Sequence, residues 1–290
     1  MSIKEAAKCF DDLRRRCRML YVIYGLGMIG ALALMIRQEM RSALLVFVLL
    51  LILYFAIVRS AIVQYTAKWR EYCCRLFTEK LMGPVDYHYY ADAACLALLG
   101  AHPLMPHSNS GRLLARNLVE GSSEGVQAMV MDATIPHGEG SQTRYVSGCW
   151  MGFSTAVGVL GRLRAVKGEL LPGGAYEAYM QEDEWLFAGG QDVSLPGAAA
   201  LYTSSEWAGL SDTGMLALRQ LLECMPGDGV IEISPDGLFV FLPHRLINRL
   251  PPALKHPVTE AMIERVAFPE IARAWHLALV LKNNEGRRAP

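Results

Sequence analysis

The chain has 290 residues with 28 basic and 28 acidic side chains, so its formal net charge is zero and the overall basic excess expected of a nucleic-acid binder is missing. Its mean hydropathy of +0.22 exceeds that of an ordinary soluble domain, and the excess is concentrated between Met19 and Val63. Seven cysteines (Cys9, Cys17, Cys73, Cys74, Cys95, Cys149 and Cys224) form no CxxC pair and no even-numbered framework, which excludes a zinc ribbon and reads as free thiols in a reducing compartment.

Residues 3–20 have helical periodicity. Ile3, Ala6, Phe10, Leu13, Cys17 and Leu20 share one face, while Lys, Asp and Arg occupy the other. Residues 1–18 therefore read as an amphipathic helix, either lying on the inner leaflet or packed on a cytosolic domain. Arg14, Arg15, Arg16 and Arg18 are its candidate contacts to anionic headgroups, each contributing about 1 kcal/mol near such a surface. Arg287 and Arg288 offer a second basic pair at the tail.

Two apolar runs follow. Met19–Ile36 is eighteen residues without a charge, and Ala43–Val58 is sixteen, extending to Val63 if Arg59 snorkels. A helix needs about 20 residues to cross the hydrocarbon core. The polar link from Arg37 to Ser42 is so short that the runs must form an antiparallel hairpin, with spans of about 19–36 and 42–63. Lys4, Lys8, Arg14, Arg15, Arg16 and Arg18 precede the hairpin, and Arg59, Lys68, Arg70 and Arg75 follow it. The link holds only Arg37 and Arg41. The positive-inside rule then puts both termini in the cytoplasm. A secretory signal peptide, with Ala31-Leu32-Ala33 as its cleavage site, is the rival reading; the second apolar run and the eighteen preceding residues argue against it.

Gly25-Leu26-Gly27-Met28-Ile29-Gly30 matches GxGxxG. A dinucleotide site also needs an acidic residue about twenty positions on, and no acid lies between Glu39 and Glu71. Gly27 and Ala31 instead make a small-xxx-small pair, the candidate packing surface for the second helix.

From Ala61 to Met82 the pattern remains helical, so residues 64–82 read as a stalk that Gly83-Pro84 stops. Residues 83–290 read as the cytosolic domain. Short helices are expected over Asp86–Ala101 and Gly111–Glu120, with Pro103 and Pro106 between them. Strands are expected over Val126–Ala133, Tyr145–Phe153, Ala156–Leu163, Glu184–Ala188 and Ala199–Thr203. Ser204–Cys224 reads as a helix. Val230–Ile233 and Leu238–Leu242 flank Ser234-Pro235-Asp236-Gly237, a hairpin signal. Pro257–Leu281 reads as a closing helix kinked at Pro269. The fold class is α+β: a transmembrane helical hairpin, then a mostly antiparallel sheet with flanking helices.

Few residues invite a catalytic reading. Gly152-Phe153-Ser154-Thr155-Ala156 approaches a nucleophile elbow but lacks the final glycine and the following helix. His102 and His107, with His88 and Cys95 nearby, match no standard metal spacing. Cys73-Cys74 lies beyond the membrane exit, about four helical turns after Val58; palmitoylation near the bilayer is one reading, and buried or idle thiols are the favoured one. Glu182-Asp183-Glu184 places adjacent carboxylates on opposite faces of an extended chain and reads as a solvated turn.

Leu201-Tyr202-Thr203-Ser204-Ser205-Glu206, the helix after it, Ile231-Glu232-Ile233 and Gly237-Leu238-Phe239-Val240 resemble an uncharacterised bacterial membrane family. Its members join an N-terminal transmembrane hairpin to a cytosolic domain of unknown function. Ser147-Gly148-Cys149-Trp150 through Gly161 is similar to that family's upstream strand, and the resemblance covers about residues 120–281. It brings no catalytic residues. The expectation is a membrane-anchored interaction or scaffold module of the inner membrane, without a cofactor. Its partners would be the bilayer and another membrane or membrane-proximal protein, or a second copy of the chain, and not nucleic acid. A membrane-associated hydrolase using Ser154 or a histidine, and a lipid-sensing domain, are the alternatives.

Overall fold

A computed structural model describes residues 1–37, 40–101, 113–137, 144–155, 159, 161–167, 186–187, 195, 199–207, 209–247 and 253–285. The chain divides into two compact units. One is Met1–Cys73 with Leu250–Ala267; the other is Cys74–Arg249 with Phe268–Pro290.

The first unit is built on long helices. α1 (Ile3–Ile36) starts at a capping box, in which the Ser2 hydroxyl accepts from Glu5 N and the Glu5 carboxylate accepts from Ser2 N. The amphipathic stretch and the first apolar run are one continuous helix, since nothing between Cys17 and Leu20 breaks the backbone ladder. α2 (Met40–Leu53) passes through a π-helical turn (Tyr54–Val58) into α3 (Arg59–Met82). α1 runs antiparallel to this second rod. Tyr24 meets Tyr54 at 5.3 Å between ring centroids, and Phe10 meets Trp69 at 5.3 Å.

The large side chains of both apolar runs mostly face outward. Leu26 is 64% exposed, Ile29 66% and Leu44 64%, and many of their apolar neighbours resemble them. Two helices are thus long and apolar enough to cross a membrane, and the apolar windows are 6% and 11% buried. A core helix of a soluble protein would have this surface covered.

The segment after the sheet returns to α1. Arg14 Nη1 donates to Leu254 O at 2.8 Å, and Asp11 accepts from Val258 N at 3.1 Å and from Arg14 Nε at 2.8 Å. Burial disfavours the Asp11 carboxylate, but these hydrogen bonds and the charges of Arg14 and Arg15 outweigh it and lower its pKa. α6 (Glu260–Glu264), capped by Thr259, follows.

The second unit is a sheet with helices. Its strands are β1 (Val85–Tyr90), β2 (Leu114–Ser123), β3 (Val126–His137), β4 (Arg144–Ser154), β5 (Leu163–Lys167), β6 (Leu186–Phe187), β7 (Ala199–Thr203), β8 (Gly229–Ser234) and β9 (Gly237–Leu242). Among the described residues these nine strands make one sheet in the order β1-β2-β3-β4-β9-β8-β5-β7-β6, and every pairing is antiparallel. The helices are α4 (Ala93–Ala101), α5 (Asp212–Cys224) and α7 (Pro269–Val280). The unit is therefore α+β with an antiparallel sheet.

Several elements differ from their local pattern. Asp86–Ala101 is not one helix: Val85–Tyr90 pairs with β2, and only 93–101 is helical. The run Val-Asp-Tyr-His-Tyr-Tyr is aromatic and β-branched, a composition that suits a pleated surface. Of the helix expected over Gly111–Glu120, residues 111–112 lie outside the described residues and the rest is not helical; 114–123 is β2, and the helix-like spacing of Leu113, Leu114 and Leu118 is overridden by pairing with β1 and β3. Of the strand expected over Ala156–Leu163, residues 156–158 and 160 lie outside the described residues; 159, 161 and 162 are not in a strand, and β5 begins at Leu163. The helix expected over Ser204–Cys224 starts only at Asp212, capped by Ser211. Pro269 does not kink a long closing helix. It sits in the first turn of α7, where its fixed φ and missing N–H cost nothing, and residues 266–268 separate α7 from α6.

One sheet face packs on α7, with Phe153 against Trp275 at 6.1 Å and with Val130, Met151, Val240 and Ile231 fully buried. The other face is partly covered by α4. There Leu99, Ala115, Leu118, Met131, Ala133, Ile135, Trp150 and Phe241 form a second core cluster.

The β2 irregularity between Arg116 and Val119 turns on Asn117, whose φ of 55° is left-handed. Its side chain is buried, donating to Asp132 Oδ2 at 3.0 Å and accepting from the Tyr87 hydroxyl at 2.9 Å; Asp132 also accepts from Ile247 N at 3.3 Å. Asn117→Ala both strains the backbone and strips a buried carboxylate of a donor. It should lower stability by about 2–4 kcal/mol. Asn117→Gly, which relieves the strain alone, should recover about 1 kcal/mol of that in thermal unfolding of the full chain.

Candidate functional site

Cross-strand partners share a sheet face. The register places Asp86 (β1), Glu120 (β2), Met129 (β3), Gly152 (β4), Phe239 (β9), Glu232 (β8), Arg164 (β5) and Tyr202 (β7) in one row. This is the α4 face, and α4 covers only part of it. Where α4 stops short, the row floors a groove of about 670 Å³. Its apolar base is Met129, Trp150 and Phe239; its polar rim is Asp86, Glu120, Ser122, Gln127 and Ser154.

Each wall has a local cause. Gly152 leaves room for the Trp150 indole to lie flat along β4, because a Cβ there would collide with the ring. Trp150 and Phe239 are then 6.1 Å apart between ring centroids, tilted by 37°. Gly121 similarly lets Val85 close in at the β1–β2 end. Asp86 and Glu120 are direct cross-strand partners, a like-charge pairing that costs stability. Among the described residues neither carboxylate has a hydrogen-bond or ion-pair partner. A negative rim over aromatic faces is complementary to a cation, which gains from both the carboxylates and the ring quadrupoles.

Further along the row the charges are satisfied internally. Glu232 Oε1 accepts from Arg162 at 3.0 Å (Nε) and 2.8 Å (Nη2), and Oε2 accepts from Arg164 at 3.1 Å (Nε) and 2.6 Å (Nη2). This triad stands between β5 and β8, with Arg164 wholly buried.

Beneath the groove, against α4, the Cys95 sulfur lies 3.6 Å from Met129 Sδ and 3.9 Å from Met131 Sδ. Burial raises the Cys95 thiol pKa to about 11, and the negative charges of Glu120 and Asp92 add to the shift. Cys149 is wholly buried on the other face, and burial pushes its thiol well above the usual range.

The residues singled out from sequence are dispersed. Arg14 is buried and engaged with Asp11 and Leu254, so it is spent on internal contacts rather than on a headgroup. Arg15, Arg16 and Arg18 are exposed, with Arg15 also on Asp11 at 2.8 Å. Gly27 faces Leu50, whose Cδ2 would stand 2.5 Å from a Cβ on the glycine, and Ala31 is buried. Ser154 ends β4 at the groove rim, opposite Gln127 and Gly237, as the last residue of an antiparallel strand. Cys73 and Cys74 are buried, which closes them to acylation in this conformation. His88 is exposed on β1; His102, His107, Glu182, Asp183, Glu184, Arg287 and Arg288 lie outside the described residues. Among the described residues no three His, Cys, Asp or Glu side chains gather as a metal site.

The groove residues carried little signal of their own. Gln127, Met129 and Met131 alternate as strand residues should, but only the register brings Asp86, Glu120 and Phe239 to the same place. Compared with known proteins, the chain matches no family model, no curated protein and no solved structure, so the resemblance over residues 120–281 gains nothing from them.

Proposed function

We propose that this chain is a membrane-anchored interaction module. In this reading α1 and α2 cross the inner membrane as a hairpin, the N-terminus and the sheet unit are cytoplasmic, and the groove receives a cationic side chain of a partner protein. The anchor is supported by the exposed apolar faces of both helices and by the basic flanks on either side of them. Tyr24 and Tyr54 in contact, with Arg59 over the Phe55 ring at 5.6 Å, are the amphipathic residues expected at a membrane–water boundary.

The observation that carries the interaction role is the Asp86–Glu120 pair. Two carboxylates held directly opposite each other, with no ion-pair partner among the described residues, repel each other, and a lysine or arginine from a partner relieves that repulsion. The apolar base of Met129, Trp150 and Phe239 takes the alkyl stem of such a side chain.

The test compares the full-length protein in detergent with Asp86→Asn/Glu120→Gln. Arginine methyl ester serves as the probe, with indole fluorescence as the readout and Trp150→Phe identifying the responding ring. Saturable quenching that the double variant weakens about tenfold or more supports the reading. Equal responses from the two proteins, or a signal indifferent to salt, reject it.

A further inference from the structure

We propose that Cys95, Met129 and Met131 form a binding site for a soft monovalent metal ion, Cu(I). The three sulfurs come from two elements, one from α4 and two from alternate positions on one face of β3. Three sulfurs about 2.3 Å from a common metal in a trigonal plane stand about 4.0 Å from one another. The Cys95 sulfur is already 3.6 Å from one thioether and 3.9 Å from the other, close to that separation, and the two flexible methionine side chains can bring their own sulfurs onto a shared ion.

The donor set selects the ion. Thioethers and thiolates are soft ligands that favour Cu(I) over hard or borderline divalent ions. Charge selects it again. One thiolate neutralises one monovalent cation, so the loaded site carries no net charge into a cluster where Cys95 and Met131 are almost completely buried. A zinc ion there would leave an uncompensated positive charge and would have two poor ligands. Binding exchanges a proton for the metal: the Cys95 S–H bond breaks, the S–Cu bond forms, the proton leaves to solvent and no electron is transferred. Burial keeps the empty thiol protonated and unreactive, while the negative charges of Asp92 and Glu120 favour a cation beside it. An entry route exists, since Met129 is half-buried and also lines the open groove. The site stands independently of the role proposed for that groove.

The experiment uses the full chain in detergent under anaerobic, reducing conditions, titrated with Cu(I) in competition with a chromogenic Cu(I) chelator. One ion per chain is expected at this site. Cys95→Ser should abolish its capture, and Met129→Leu or Met131→Leu, which conserve volume, should each weaken it about tenfold. Cys9→Ser, which removes an exposed thiol elsewhere, should leave it unchanged. X-ray absorption on the loaded wild-type protein should show three sulfur ligands at about 2.3 Å, a readout that needs no variant to fold. Undiminished capture by Cys95→Ser, indifference to both methionine replacements, or nitrogen and oxygen ligands in the absorption spectrum would each overturn the proposal.

Discussion

Replacing Glu232 with Gln should lower the stability of the sheet unit by about 3–5 kcal/mol. The carboxylate is 3% exposed and each of its oxygens holds one arginine, with Arg164 at 0% exposure and Arg162 at 32%. The amide keeps one acceptor and turns an N–H donor toward a guanidinium, which leaves a buried positive charge without its counter-ion. β5 lies between β7 and β8, so the damage falls inside the sheet and not at its edge. For a unit of this size the loss corresponds to a fall in Tm of roughly 6–20 °C, read by thermal unfolding of the full chain in detergent. Arg162→Gln should cost much less, about 1 kcal/mol, because that side chain is partly solvated. Exchanging all three residues for apolar side chains of similar size should restore most of the stability, since the triad's desolvation cost disappears with its attraction. A Tm for Glu232→Gln within two degrees of wild type would show that the triad is not desolvated as described.

The second large effect concerns the helices. Leu26→Lys in α1 and Leu49→Lys in α2 place charges at the middle of each apolar run, on side chains that are 64% and 57% exposed. If the helices sit in lipid, each substitution costs about 2.5–3.5 kcal/mol of insertion free energy. Together they should move the protein from the alkali-resistant membrane fraction to the soluble or aggregated fraction. If the same surfaces faced water, the changes would stay within about 0.5 kcal/mol and fractionation would not alter. Val63→Lys, also on an exposed side chain but at the very end of the second span, should have little effect because lysine can reach the interface there. A double variant that fractionates as wild type does would remove the anchor from the proposed function. A reporter fused after Pro290 separately reads which side the sheet unit occupies; a cytoplasmic signal is expected.

The division between what local sequence specified and what it did not follows the range of the interactions. Apolar run length is a local property, so the two long helices were legible from Met19–Ile36 and Ala43–Val58 without any partner. The β8–β9 hairpin was equally legible, because Pro235-Asp236-Gly237 closes it and Gly237 has the φ of 143° that its turn demands. Strands β3, β4 and β7 matched their alternation closely. β1 and β2 did not. The leucines after β1 and those of β2 have helical spacing when read alone, and pairing of the two strands across about 30 residues placed Val85–Tyr90 and Leu114–Ser123 in the sheet instead.

Register decided the site. Asp86 meets Glu120, Gly152 meets Phe239, and Glu232 meets both Arg162 and Arg164 only after strands far apart in sequence have aligned. A one-residue slip in any strand would send its side chains to the opposite face. The sequence by itself determined which segments are apolar enough for lipid and where the tightest turn falls, because those depend on neighbours along the chain. Only the tertiary structure decided that Arg14 is used internally, that three sulfurs meet under α4, and that two carboxylates share a groove. Those depend on which strands and helices become neighbours in space.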